Sequence, residues 1–307
     1  MNKFLLLDTF NFLHRAYHAL PKSFRDSNGE PTNAVYGVTS MLINVLDQIK
    51  PAYVVAAMDS IEPTFRLEDF TGYKAHRKPM EEDLSSQIPK VIEVLDAFGI
   101  TRIMANGYEA DDIIATMVKK FEPESEIVIV SNDRDLWQLA ARKVLIMLPT
   151  TKGPAEWLGP SEVNTRLGFE PSLIADYKGL RGDTSDNIPG VYGIGEKTAA
   201  ALIQNFGSIE NIYANIDKVT PESTRQKLLN SYDQAMMSKK LAQLIYDVPV
   251  TVRFDELKYS TFNKLNVKRV LERYNFKSLI RRLGFDDETN NKKQKKDEVS
   301  KDQLSLL

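Results

Sequence analysis

Three short apolar runs in the first half of the chain each lead to an aspartate: Phe4-Leu5-Leu6-Leu7 before Asp8, Tyr53-Val54-Val55-Ala56-Ala57-Met58 before Asp59, and Ile127-Val128-Ile129-Val130 just before Asp133. Unbroken β-rich runs of this length read as strands buried on both faces of a parallel sheet, whose helical crossovers cover it above and below. Between and after them the apolar positions take up a helical period, within Thr32–Ile49, Leu84–Phe98 and Glu109–Phe121, and further short strands read at Thr101–Met104 and Val144–Leu148. This alternation predicts an α/β core, a doubly wound and mostly parallel sheet over residues 1–171. After about Ser172 the strand pattern stops and short helices follow one another, with glycine-rich turns at 179–183 and 190–195, so a helical second domain is expected over 172–285. Residues 286–307 are polar and lysine-rich and read as a disordered tail. A charged stretch at about 63–89, flanked by prolines, is too long for an ordinary connection and reads as a functional loop.

Ligands of an open parallel sheet bind beyond the carboxyl ends of its strands, so Asp8, Asp59 and Asp133 are expected to share one crevice. Gly107-Tyr108-Glu109-Ala110-Asp111-Asp112 adds Glu109, Asp111 and Asp112 in the first turn of an amphipathic helix. Asp135 follows Asp133 closely, and Asp183 and Asp186 lie on one face if their turn is helical. A single aspartate before a helix is most often a cap, but capping does not require acids in pairs. Like charges gathered in one crevice repel, and a multivalent cation is their natural counterweight. Paired carboxylates suit a two-metal centre for in-line phosphoryl displacement, so the reaction expected is phosphodiester hydrolysis.

Composition narrows the metal. With no cysteine and only three histidines, His14, His18 and His76, set apart from the acids, the donors are oxygens, which suit two Mg²⁺ or Mn²⁺ rather than zinc. The formal charge of −2 argues neither for nor against nucleic acid, but bases gather in Tyr73-Lys74-Ala75-His76-Arg77-Lys78 and around Lys197. No apolar run approaches the ~18 residues of a membrane span, and the first residues enter a strand without a signal-peptide pattern. A monomeric cytoplasmic protein is expected.

Gly190-x₄-Gly195-Glu196-Lys197-Thr198 is a near miss for a nucleotide-binding P-loop, since Glu196 intervenes and no apolar strand leads in. The same residues suit a hairpin between two helices that holds a DNA phosphate on exposed N–H groups near Glu196, with Gly193 and Gly195 giving close approach and Lys197, beside Thr198, adding charge. Tyr17, Phe24, Tyr36 and Tyr73 are candidates for stacking on unpaired bases, or for core packing. Phosphatase chemistry of the haloacid type wants a second aspartate two residues after Asp8, and Phe10 stands there.

Pro31–Gly37, Pro63–Arg66, Tyr73–Arg77, Gly107–Asp112 and Ser185–Val191, running into Gly193–Ala199, resemble the 5′-nuclease family, specifically the 5′→3′ exonuclease domain found in bacterial DNA polymerase I. The resemblance runs to about residue 285. It implies a resolvase-like (PIN-like) core with a helical arch at 63–89 and a helix-hairpin-helix domain, acting in replication and repair on DNA with 5′ flaps, nicks or 5′ ends and on primer RNA. By the resemblance, Asp8, Asp59, Glu109, Asp111, Asp133 and Asp135 hold the metals directly or through water, with Asp112, Asp183 and Asp186 completing the cluster. Lys74 and Arg77 would approach the scissile phosphate as electrophilic stabilisers, with Tyr73 and Lys78 beside them on the nucleic acid, and turn 190–195 would take K⁺. The chain departs from the family pattern in Asp8-Thr9, where Asp-Gly is usual, and in Met58-Asp59-Ser60, where Phe-Asp-Ala is common; neither change removes a ligand. No polymerase portion is present, so DNA polymerase I acting in trans is an expected partner, and the polar residues ending at Leu307 favour a natural terminus over a cut domain. The alternatives are a PIN-like endoribonuclease and a catalytically inactive, structure-specific DNA-binding protein.

Overall fold

Six strands, β1 (Lys3–Asp8), β2 (Tyr53–Ala57), β3 (Thr101–Ile103), β4 (Glu126–Val130), β5 (Val144–Leu148) and β6 (Glu156–Leu158), form one sheet in the order β3-β2-β1-β4-β5-β6. The computed structural model describes residues 2–150, 154–259 and 261–285, so the tail expected over 286–307 lies outside the described residues. All pairs are parallel except β5 with β6. From β1 the order runs outward to β3 on one side, then reverses from β4 to β6 on the other, which makes the β1/β4 boundary the switch point where such sheets bind ligands. Leu7 lies level with Ala56 of β2 and Val130 of β4, so the chain leaves all three strands at one level, at Asp8, Met58-Asp59 and Ser131. The strands are unbroken apolar runs because both faces are covered: Leu5, Leu6, Val55, Ala56 and Ile129 are fully buried.

By Cα proximity the described residues form two compact units, 2–12, 49–80, 101–150 and 154–259 in the first, and 13–48, 81–100 and 261–285 in the second. In the first unit the helix Ala110–Phe121 lies on β1 and β2, burying Ile113, Ile114 and Met117, and Phe121 meets Phe4 edge-on at 5.6 Å. The same apolar cluster continues without a break into the helices Ile174–Arg181, Glu196–Phe206, Ile209–Ala214 and Tyr232–Ala242. The turn between the first two of these depends on glycine: Gly190 has φ +63° and a Cβ there would lie 2.2 Å from the Gly182 nitrogen. In the second unit the helices Asn33–Ile49, Ile88–Ala97, Lys264–Arg273 and Lys277–Arg282 are the main elements. There the buried Gln87 amide accepts from the Ala34 and Val35 N–H groups at 2.8 and 3.2 Å and donates to Asn33 at 2.9 Å.

Some elements differ from the sequence reading. A helix, Thr9–Ala19, starts directly on the end of β1, where no breaker marks it, and β6 with the helix Pro160–Leu167 was unforeseen. The turn carrying Asp183 and Asp186 is not helical; Asp183 and Ile188 exchange two N–H···O bonds of 2.8 Å as an antiparallel bridge. The segment expected to form the helical arch carries two short helices, Phe65–Asp69 and Glu82–Ser85. Within the first unit its residues up to 80 are tied down: the Lys74 N–H donates to the Asp186 carbonyl at 2.9 Å and the Asn187 side chain to the Gly72 carbonyl at 2.7 Å. Among the described residues no helix is long and apolar enough to cross a membrane.

Candidate metal centre

Each strand end delivers its acid by a local bond. Asp8, 5% exposed, accepts from the Asn11 N–H at 3.1 Å and the Ser131 hydroxyl at 2.7 Å, so β1 and the exit of β4 are stitched at the switch point. Ser131 in turn accepts from the Asp133 N–H at 3.0 Å, and Asp133 from the Asp135 N–H at 2.9 Å. Asp59 accepts from the Ala110 N–H at 2.8 Å, which docks the start of the helix Ala110–Phe121 on the exit of β2. That bond places Glu109 and Asp111 over the same crevice.

The carboxylates then act on one another. Loss of solvent is the largest influence on Asp8 and, together with Asp59 and Asp133, pushes it up to about 7 against its hydrogen bonds from Ser131 and Asn11. Asp111 is raised well above the usual aspartate range by loss of solvent and then by Asp133, Asp8, Asp135 and Asp59. Asp135 is pushed up to about 6 by the same loss of solvent and by Asp133 and Asp186, although Lys178 opposes them. Asp59 is raised by loss of solvent and by Glu109. Asp183 moves the other way: burial raises it, but Lys178 and Ser185 overcome that and hold it at about 2.

A sign follows for stability. Groups raised to about 7 and 6 from 3.8 stabilise the fold fully below pH 3.8 and lose that contribution as pH rises through 6 to 7. Asp183, lowered to about 2, contributes above pH 3.8 and loses it as pH falls towards 2. The metal-free protein is therefore expected to melt roughly 5 °C lower at pH 8 than at pH 5, and Mn²⁺ to restore more at pH 8. Thermal melts with and without EDTA at the two pH values check this; the same Mn²⁺ increment at both would contradict it.

Protein cations meet part of this charge. Lys74 donates to Glu109 at 2.8 Å and lies 3.9 Å from Asp186, which Arg77 reaches at 2.6 Å. Lys178, from the helix Ile174–Arg181, pairs with Asp135 and, at 2.5 Å, with Asp183. Among the described residues no three acidic or histidine side chains close on a single point at metal-ligand distance. The donor set still fits hard divalent cations: it is all oxygen, and Asp111, pressed by four other acids, has no ion pair among the described residues.

Thus Asp8, Asp59, Glu109, Asp111, Asp133 and Asp135 come together, with Asp186 joined through Lys74 and Asp183 through Lys178. Asp112 does not. Its carboxylate is fully buried and turned away, accepting both Arg66 guanidinium nitrogens at 2.7 Å and the N–H groups of Ile245 at 3.0 Å and Glu109 at 3.2 Å. The expectation that Asp112 belongs to the metal set is corrected on that ground. Tyr73 is likewise not placed to stack on a base: it is 3% exposed, and its hydroxyl lies 3.1 Å from carboxylate oxygens of both Glu109 and Asp186, which share its one proton. Tyr17 is 2% exposed, and Tyr36 packs between Phe24 at 5.1 Å and Phe276 at 5.2 Å. Lys178 and Arg66 are the members sequence reasoning gave no role. The only signal for Lys178 was a base in the turn-proximal helix ahead of Asp183.

At the second candidate region, Gly195 precedes the helix Glu196–Phe206, Lys197 is exposed and Thr198 half-buried, and Lys78 is exposed on its own segment. The carbonyls of Gly190 and Gly193, which the K⁺ expectation needs, already accept from Gln234 at 2.5 Å and Lys227 at 3.0 Å.

An open, mostly parallel sheet with acidic side chains beyond its switch point, sharing its core with a set of short helices, defines a resolvase-like α/β protein with an acidic crevice. Residues 3–168 match the 5′-3′ exonuclease N-terminal resolvase-like domain, and residues 169–265 match the 5′-3′ exonuclease C-terminal SAM fold. The chain belongs to the 5′-3′ exonuclease family. It is 41% identical over 93% of its length to DNA polymerase I of Caldicellulosiruptor bescii, and 41% identical over 92% to that of Bacillus subtilis, spanning 34% and 32% of those proteins. The chain thus spans about a third of the polymerases it matches. Its fold is that of a bacteriophage T5 flap endonuclease solved as a pseudo-enzyme-product complex with DNA and metal ions, at 22% identity and a TM-score of 0.67, covering 89% of this chain and 99% of that one.

Proposed function

We propose that the protein is a divalent-metal-dependent 5′→3′ exonuclease and flap endonuclease that hydrolyses phosphodiesters near the 5′ end of a displaced strand, in primer removal and repair. One observation carries this reading: Asp8, Asp59, Asp133 and Asp135 all lie close enough to Asp111 to raise it, and Asp59 and Asp133 raise Asp8 as well. A fold that needed those residues only as caps would not bear that repulsion.

Asp8, Asp59, Glu109, Asp111, Asp133 and Asp135 would hold two Mg²⁺ or Mn²⁺, with Asp183 and Asp186 at the margin. When bound, such a pair supplies water activation and neutralisation of charge on the phosphate. Lys74 and Arg77, now seated on Glu109 and Asp186, would turn their charge to the phosphate oxygens. The helical part after residue 172 would carry duplex phosphates on the turn around Gly193, Gly195, Lys197 and Thr198, and binding should weaken steeply with salt. Potassium on the backbone of turn 190–195 stays part of the proposal, with the Gly190 and Gly193 carbonyls each accepting one side-chain bond and keeping a second lone pair. Work alongside a DNA polymerase I activity and a cytoplasmic location are part of the proposal, in keeping with the chain's 41% identity to about a third of that enzyme.

The test is cleavage of a 5′-labelled flap duplex with Mg²⁺, with EDTA, and by Asp133→Asn. Short 5′ products are expected only for the unaltered protein with Mg²⁺, and Asp133→Asn should be slower by about 10³-fold or more. Equal turnover in all three would remove the proposal. Preference for single-stranded RNA would favour a PIN-like endoribonuclease, and flap binding without turnover in Mg²⁺ or Mn²⁺ a non-enzymatic DNA-binding protein.

A further inference from the structure

Resting on the metal-dependent reading, we propose that Lys178 is a built-in counter-cation of the acidic crevice, a positioning residue that holds Asp135 and Asp183 together in the metal-free protein and competes with a divalent ion for that carboxylate pair. The two aspartates come from separate parts of the chain, one just beyond β4 and one from the bridged turn after Arg181, and Lys178 is the ion-pair partner they share. Its helix has little room to shift. It packs along the helix Tyr232–Ala242, Leu180 is fully buried, and a Cβ on Gly179 would lie 2.6 Å from the Ile209 side chain. Lys178 itself is 8% exposed, so its ammonium is aimed at the acids by the fold rather than by chance contact at a surface.

The other lysine of the crevice makes the contrast. Lys74 bridges Glu109 and Asp186 in the same manner, but from a turn residue with φ +52° and with a quarter of its side chain in solvent, and Arg77 shares Asp186 with it. That side has two cations on a short turn. Among the described residues the Asp135–Asp183 side has one, fixed on a packed helix. An ammonium gives the pair a single charge where a divalent ion gives two, so metal gains the pair only by displacing it, and the fixed charge weakens metal binding there.

Mn²⁺ is titrated calorimetrically into the metal-free unaltered protein, Lys178→Met and Lys178→Arg, and each is melted in EDTA and in saturating Mn²⁺. Lys178→Met keeps the stem and removes the charge. It is expected to bind one Mn²⁺ about tenfold tighter and to melt lower than the unaltered protein in EDTA, with the difference closed by Mn²⁺. Lys178→Arg, which keeps the charge, should restore both the EDTA melting temperature and the weaker Mn²⁺ binding. Unchanged Mn²⁺ affinity in Lys178→Met would overturn the inference, as would an equal loss of stability with and without Mn²⁺, which is what simple packing would give. If the unaltered protein takes up no Mn²⁺ at all, the metal-dependent reading fails together with it; if uptake and flap cleavage are normal and Lys178→Met binds Mn²⁺ no tighter, only this inference fails.

Discussion

Asp111→Asn is expected to raise the melting temperature of the metal-free protein while slowing flap cleavage by about 10³-fold or more. Asp111 is the acid on which the others press: its carboxyl is raised by loss of solvent and then by Asp133, Asp8, Asp135 and Asp59. Replacing that charge with an amide of the same shape removes four repulsions and leaves packing unchanged. The same replacement takes the anionic charge from a proposed metal ligand and leaves a neutral amide oxygen, a much weaker partner for a hard cation. Stability and activity should therefore move in opposite directions, which a destabilising lesion cannot produce. A melt in EDTA and single-turnover cleavage in Mg²⁺ check the two halves, and a lower melting temperature would contradict the electrostatic account of the site.

The next residue should behave in the opposite sense. Asp112→Asn is expected to cost about 3–5 kcal/mol of stability, the usual result of breaking a fully buried ion pair. Asp112 and Arg66 form a knot of three segments: Arg66, from the helix Phe65–Asp69, also donates to the Leu241 carbonyl at 2.9 Å and the Gln243 carbonyl at 3.0 Å, while Asp112 receives the Ile245 N–H. With an amide at 112 the buried guanidinium keeps only Glu109, 3.6 Å away, as counter-charge, and the bonds around it loosen. Urea unfolding monitored by circular dichroism reads the loss. A stability equal to that of the unaltered protein would return Asp112 to the metal set expected from sequence.

That contrast marks where the sequence was legible. β1, β2 and β4 stood out because strands buried on both faces are written as unbroken apolar runs, and their terminal acids came with them. The start of the helix Ala110–Phe121 was equally plain. Which of Asp111 and Asp112 faces the crevice was not, because it is settled by Arg66, 46 residues away, whose burial no local pattern reports. Lys178 was hidden for the same reason, since Asp135 lies 43 residues from it. Tyr73 looked like a stacking residue in a basic stretch, and only the seating of that stretch on Asp186 and Asn187 turns its ring inward. The helix Thr9–Ala19 carried its apolar spacing openly, in Phe12, Leu13, Ala16 and Tyr17, but without a breaker it ran on from the strand.

The central claim is that these acids gather to bind a pair of divalent cations. Anomalous scattering at the manganese edge from crystals grown with Mn²⁺ tests it most directly. The account predicts two peaks inside the crevice bordered by Asp8, Asp111, Asp133 and Asp135, with Lys178 moved off Asp135. No peak there, with Lys178 and Lys74 still on their carboxylates, would contradict it.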